Sequence, residues 1–217
     1  MQNLEIIQII NSPPKTPFAP VYTYSLCEAM ISNVDFNTVT KIILQKEKEI
    51  IKNNPSYSDG HTSLGPDSLT SRFPSFNVLN WDFDEIKKIK DNIIKTHNIF
   101  LDKLNIPKPD EVWIQCWANV MRKGEQIKPH LHNKNADTYL GGHICVKCEN
   151  TSTHYINPID QINLPETYTS ENKVGKITLF QNNIPHFTDI HNGEEERITI
   201  AFDMSLKKDK ENYIKII

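Results

Sequence analysis

The chain has 217 residues and a formal net charge of −3, with acidic and basic residues mixed along its length, so it shows no electrostatic footprint of a nucleic-acid binder. No window reaches the roughly 18 apolar residues of a membrane-spanning helix, and the opening Met1-Gln2-Asn3-Leu4-Glu5 lacks the basic and apolar stretches of a secretory signal. Cys27, Cys116, Cys145 and Cys148 are too few for a disulfide scaffold, so free thiols in a reducing cytoplasm are expected.

In chain order, Leu4 to Ile10 is apolar enough for a strand, and Pro13, Pro14, Pro17 and Pro20 then break the pattern. Residues 37–53 predict a helix capped by Asn37, with Val39, Ile42, Ile43, Ile50 and Ile51 on a ragged apolar face. Residues 55–80 hold Pro55, Gly60, Gly65, Pro66 and Pro74 among many serines and read as a long loop, of the kind that serves as a lid. A second helix, capped by Asp82 or Asp84, repeats Ile86, Ile89, Ile93, His97, Phe100 and Leu104 at helical spacing, and Pro107 and Pro109 stop it.

After Pro109 the period becomes two. Val112, Ile114, Cys116, Ala118 and Val120 share one face, and Trp113, Gln115, Trp117, Asn119 and Met121 share the other. Strand-like runs follow at 142–146, 176–180, 187–190 and 198–202. Helices first and short strands afterwards predict an α+β fold, with residues 1–109 as an N-terminal extension packed on a sandwich or barrel core at 110–217, in a single structural domain.

Three of the histidines carry metal-ligand spacing. His130 and His132 stand two apart, on one face if that segment is extended, and His186 opens a later strand-like run. Two ligands from one short segment and one from a distant strand can meet on one face of a metal and leave positions open for a cosubstrate and O2. Arg197 lies eleven residues beyond His186, and Thr199 shares its strand face. A guanidinium fork beside a hydroxyl is a clamp for a carboxylate; the alternative is a surface ion pair with Glu194, Glu195 or Glu196, worth about 0–1 kcal/mol. Asn119, on a strand leading through Gly124 to the histidine pair, can offer its amide to a keto acid near the metal or be a satisfied polar residue of a half-buried strand.

In this order and spacing, Asn119, Gly124, His130, His186, Arg197 and Thr199 resemble the 2-oxoglutarate/Fe(II) oxygenase superfamily, and within it a group with a His-x-His core that includes proteins of tailed phages. Leu140 to Val146 looks like the strand after the first ligand pair, and Gly175 to Phe180 like the strand before the distal histidine. The resemblance covers roughly residues 110–205 and implies a double-stranded β-helix (a cupin-like jelly roll), Fe(II) on His130, His132 and His186, and 2-oxoglutarate held by Arg197 and Thr199 with Asn119 nearby. It implies O2 as cosubstrate, with release of succinate and CO2, and a host cytoplasm if the chain is phage-encoded.

Two departures stand out. The usual second ligand is a carboxylate, where this chain has His132; Asp137 supplies one only if the loop 133–138 folds back. A tyrosine two after the asparagine is replaced by Met121, which cannot donate a hydrogen bond. The missing carboxylate keeps open a three-histidine metalloenzyme that does not use 2-oxoglutarate, and a silent β-sandwich binding protein is the non-catalytic rival.

Other features read as structural. Cys145-Val146-Lys147-Cys148 lacks the second pair of a zinc site, His97 sits on an apolar helix stripe, and Trp113 and Trp117 are expected in the core. His143 is either packing or a group that orients a ligand, and His154, Asp189 and His191 carry no assignment. The primary substrate is not legible.

Overall fold

Helix α1 (Phe36–Asn53) starts at Asp35, whose carboxylate accepts the backbone N–H groups of Asn37 and Thr38. The cap is therefore Asp35 and not Asn37: the shorter reach of an aspartate one residue before the first turn satisfies two otherwise orphaned donors. Helix α2 (Asp84–Leu104) has no side-chain cap; Phe83 holds the cap position, and Asp84 and Glu85 lie in the first turn, where they complement the helix dipole. Asn105, in the left-handed conformation, ends it before Pro107 is reached. In α1 the residues Val39, Ile42, Ile43 and Ile50 are buried, and in α2 the residues Ile86, Ile89, Ile93, His97 and Phe100. Each of the buried apolar side chains contributes about 1.5–3 kcal/mol when removed from water.

The computed structural model describes residues 4–133, 136–157, 167–208 and 210–217. The strands are β1 (Glu5–Ile10), β2 (Thr23–Met30), β3 (Trp113–Met121), β4 (Leu140–Lys147), β5 (Ser152–Ile156), β6 (Thr167–Glu171), β7 (Lys176–Gln181), β8 (His186–Thr188), β9 (Arg197–Ser205) and β10 (Ile214–Lys215). They form a seven-stranded antiparallel sheet in the order β1-β2-β7-β4-β9-β3-β10 and a three-stranded sheet in the order β6-β5-β8. A bridge between His130 and His186 adds the 130 segment beside β8. From β3 to β9 the chain passes back and forth between the sheets, with β3, β4, β7 and β9 in the large one and the 130 segment, the pair β5–β6, and β8 in the small one. That winding is the expected jelly roll, and with the helices it makes the fold α+β.

Alternation sorts each strand of the large sheet. Ile114, Cys116, Ala118 and Val120 of β3 and Ile198, Ile200, Phe202 and Met204 of β9 join the core shared with α1 and α2. The opposite face turns toward the small sheet, where Leu26, Tyr155, Phe180 and Ile184 form a separate cluster. Strands β1 and β2 hydrogen-bond through β7 into the large sheet. Strand β2 is not apparent in the sequence, because its inward Glu28 hides the pattern; Glu28 is neutralised by Lys176 of β7 at 3.0 Å. The loop 55–80 contains two short 3-10 helices, Thr70–Ser75 and Val78–Asn80, and buries Thr70, Ser71 and Arg72. Among the described residues, no helix is long and apolar enough to cross a membrane.

Gly142 sits where three strands meet. A Cβ there would lie 2.5 Å from both Phe202 Cζ and the Thr178 carbonyl oxygen. The carbonyl belongs to the sheet ladder and cannot yield, so Gly142→Ala should destabilise the fold by about 1–3 kcal/mol. The urea unfolding midpoint measures this, and an unchanged midpoint would show that the strands can part without loss.

Candidate active site

Backbone pairing builds the site from two distant segments. His130 N–H donates to the His186 carbonyl at 3.1 Å, and His186 N–H returns to the His130 carbonyl at 2.9 Å. His132 N–H donates to the Asn182 carbonyl at 3.0 Å. The three imidazoles consequently meet: ring centroids lie 4.4 Å apart for His130 and His186, 5.1 Å for His132 and His186, and 5.3 Å for His130 and His132. One nitrogen from each ring falls within 4.8 Å of the others, and this is the only group of three or more potential metal ligands among the described residues.

The tautomers are fixed by what surrounds the rings. His130 Nδ1 lies 2.9 Å from the Lys128 carbonyl and His186 Nδ1 3.0 Å from the Ile184 carbonyl. A carbonyl only accepts, so both Nδ1 atoms carry the proton. His132 Nδ1 donates to the carboxylate of Asp203. Each ring is thus left with Nε2 as the nitrogen available to a metal, an arrangement that suits a divalent cation. Burial, then the neighbouring His132, lowers His130 to about 4, and burial together with His130 and His132 holds His186 well below its ordinary value. Both rings are therefore neutral near pH 7. Burial works against charge on His132 as well, but Asp203 more than offsets it and raises that pKa.

Beside the histidines, a small pocket is lined by Asn119, His143, Thr153, Thr188, Arg197 and Thr199. Arg197 is 1% exposed. Its Nη1 donates to Met121 Sδ at 3.1 Å, and its Nε has no hydrogen-bond partner. The neighbouring glutamates turn elsewhere: Glu195 and Glu196 pair with Lys147, and Glu194 with Lys123. No carboxylate among the described residues forms an ion pair with Arg197, so the surface-pair alternative does not hold. A buried, unpaired guanidinium is unfavourable by several kcal/mol, and an anionic guest would relieve it. Met121, which cannot donate a hydrogen bond, accepts one from Arg197.

Asn119 contacts Thr199 instead of pointing bare into the cavity. Its Oδ1 accepts from Thr70 Oγ1 at 2.8 Å and its Nδ2 reaches Thr199 Oγ1 at 3.4 Å. Thr70, from the loop 55–80, had no visible role in the sequence. Residues Asp59 to Thr62 of that loop, with Phe73, Leu131 and Lys210, wall an outer cleft that also touches His130 and His132. Trp117 is partly buried against the core, as expected, and also lines this cleft: its ring lies 5.7 Å from Phe73 and 5.8 Å from His132, because its face of β3 looks toward the small sheet.

Asp137 lies outside the cluster, paired with Lys207 at the surface. His97 is a core histidine, bonded to the Tyr139 hydroxyl at 2.8 Å. His154 bonds Asp189 and Thr169, and His191 bonds the Glu195 carbonyl. The buried Cys145 thiol donates to Asn172 at 3.3 Å, and its pKa is raised by Cys148 and burial.

His143 lines the cavity, 2.8 Å from the Tyr155 hydroxyl. Burial, then Arg197 and Lys176, lowers its pKa to about 3. The folded state therefore refuses a proton that the unfolded chain takes up near pH 6.5. Its contribution to stability is complete above pH 6.5 and is lost as pH falls toward 3. Between pH 7 and pH 5 the metal-free wild type should lose about 2 kcal/mol more stability than His143→Gln, read from denaturant midpoints at the two pH values. Equal losses would mean that His143 titrates normally.

Residues 115–203, the span from β3 to β9, match a family described as "Putative 2OG-Fe(II) oxygenase". No curated protein matches the sequence. Among solved structures, the fold is similar to a prolyl-4-hydroxylase from Pseudomonas putida (TM-score 0.54, 9% identity, covering 82% of this chain and 85% of that one). It is also similar to AviO1 from Streptomyces viridochromogenes Tue57 (TM-score 0.54, 10% identity, 85% and 90% covered). HygX from Streptomyces hygroscopicus, solved with nickel and 2-oxoglutarate bound, gives a TM-score of 0.50 at 9% identity, with 83% and 82% covered. At such identities the structural likeness speaks for the fold, and the family match covers the segments that carry the histidines and Arg197. Over residues 115–203, then, the chain is similar to the 2-oxoglutarate/Fe(II)-dependent oxygenases.

Proposed function

We propose that His130, His132 and His186 hold Fe(II), and that Arg197 with Thr199 binds the far carboxylate of 2-oxoglutarate. The observation that carries this reading is the buried Arg197 guanidinium, without a carboxylate partner, in a cavity shared with all three histidines. Bound Fe(II) would supply the O2 chemistry that couples 2-oxoglutarate decarboxylation to oxidation of a substrate C–H bond. The chain's own contribution is placement. Thr199, steadied by Asn119, offers its hydroxyl beside the guanidinium, and Met121 keeps Arg197 aimed inward. The outer cleft, with Trp117 and Phe73 on its wall, is the entry for the primary substrate. HygX, on a similar fold, was solved with nickel and 2-oxoglutarate bound, a metal and cosubstrate pair like the one assigned to this chain.

The whole chain acts as one structural domain in this reading, since β1 and β2 extend the sheet that carries the site. The four free cysteines fit a reducing cytoplasm. The mixed surface charge fits a partner other than nucleic acid.

Anaerobic addition of Fe(II) and 2-oxoglutarate tests the assignment. A weak visible charge-transfer band should appear, and admitting O2 should release succinate slowly without substrate. Neither band nor succinate in wild type would remove the reading.

A further inference from the structure

We propose that Asp203 is the carboxylate of the metal site, acting one hydrogen bond away through His132 and not as a ligand. The inference rests on the assignment of the three histidines to Fe(II). Asp203 lies on β9, on the strand face that also carries Arg197 and Thr199. Six residues separate it from Arg197, roughly 20 Å of strand. One face of one strand therefore bears the anion clamp at one end and this carboxylate at the other.

The three histidines are not held alike. Backbone carbonyls, which are neutral, take the Nδ1 protons of His130 and His186. His132 alone gives its proton to a carboxylate, and its side chain is 7% exposed. Among the described residues, His132 is the only ion-pair partner of Asp203. The room for this contact is reserved. Gly141 lies opposite Asp203 in the sheet. A Cβ on Gly141 would stand 3.3 Å from Asp203 Oδ1 and would overlap the Asn182 amide, whose backbone carbonyl anchors His132. Trp117 and the edge of Phe180 flank the His132 ring at 5.8 and 6.0 Å.

Electrostatics gives the contact its purpose. Three neutral imidazoles leave a divalent cation with its full charge in a buried pocket. A carboxylate accepting the ring proton makes Nε2 a stronger donor and returns one negative charge to the site. His132 thus stands where this superfamily usually has a ligating carboxylate, and Asp203 supplies the missing charge from behind it. Asp203 is a positioning residue in this account, since it reaches the metal only through His132.

The experiment is a titration of metal-free protein with Mn(II), following free Mn(II) by its electron paramagnetic resonance signal. Asp203→Asn keeps an oxygen that can accept the same N–H but removes the charge. Its Mn(II) affinity should fall about 10- to 100-fold, the usual range for such partners, while the melting temperature of the metal-free chain stays near wild type. Asp203→Glu, which keeps the charge on a longer arm, should recover most of the affinity. In a His132→Ala background, Asp203→Asn should weaken binding no further, because its route to the metal is gone. Undiminished affinity in Asp203→Asn, or an equal further loss in the His132→Ala background, overturns the proposal. If Asp203→Asn fails to fold, a loss of affinity in Asp203→Glu as deep as in His132→Ala overturns it too. Wild type that takes up no Mn(II) would instead remove the three-histidine assignment, and this inference with it.

Discussion

Arg197→Met should abolish 2-oxoglutarate binding while making the cosubstrate-free chain more stable. The two effects have opposite signs because one buried charge serves two states. Without an anion, the guanidinium is withdrawn from water at the expense of its solvation: it is 1% exposed, its Nε is unpartnered, and its one hydrogen bond among the described residues is to a thioether, a weak acceptor. Burial lowers its pKa, against the pull of Cys145, Cys148 and Asp189, none of which forms an ion pair with it. Replacing a buried ion by an apolar side chain of similar length is often neutral or stabilising, by about 1–4 kcal/mol. With the dicarboxylate bound, the same charge is paired, and removing it leaves a carboxylate facing an apolar wall. Truncating one partner of a buried charge pair costs about 2–5 kcal/mol, or roughly 30- to 5,000-fold in affinity. Calorimetric titration with 2-oxoglutarate and thermal melts without it read the two halves separately. A variant that loses both binding and stability would show that Arg197 has a protein partner in the free state.

Why was this arginine legible in the sequence when Asp203 was not? Arg197 and Thr199 sit in a short window beyond His186, and strand alternation alone places them on one face. The same alternation extends through Ala201 to Asp203, but the predicted strand stopped at 202, one residue short of the acid. More fundamentally, Asp203 matters because His132, 71 positions earlier, lies against it, and pairing across that distance has no local signature. Strand β2 was missed for a related reason. Its inward positions include Glu28, an unlikely core residue until Lys176 is brought beside it by the β2–β7 register. Strands β5 and β6 are short and polar on their outer positions, so their pattern merges with the loops around them. Core packing is the expectation for Trp117, and it is partly buried against the core, but only the small sheet's position shows that its ring also lines a cleft. The helices were visible because their periodicity is local, although both N-caps differed by a residue or two, where a single Asp, Asn or Phe decides.

His186→Ala should remove the stabilisation that Mn(II) confers, and the reason lies in how the ring is held. His186 is 6% exposed, packed 4.6 Å from Phe180 and 5.9 Å from Tyr155, and tied by backbone bonds to His130. Deleting it takes away one of three donors and leaves the other two on a single short segment. Loss of a mere ligand-orienting partner costs about 10- to 100-fold in metal affinity, so loss of a ligand should exceed that. A metal present at about 100 times its dissociation constant stabilises the native state by about 2.7 kcal/mol. Wild type should therefore melt at a higher temperature with Mn(II) than with chelator, and His186→Ala should melt alike in both. The metal-free variant will also be somewhat less stable, because Phe180 and Tyr155 lose a packing neighbour, and for that reason the diagnostic quantity is the difference between the two melts and not either melt alone. His154→Ala is the control: its ring bonds Asp189 and Thr169, outside the cluster, so its metal-induced shift should equal that of wild type. If both variants kept the shift, the convergent imidazoles would be a packing arrangement, and the ion would have to bind elsewhere on the chain.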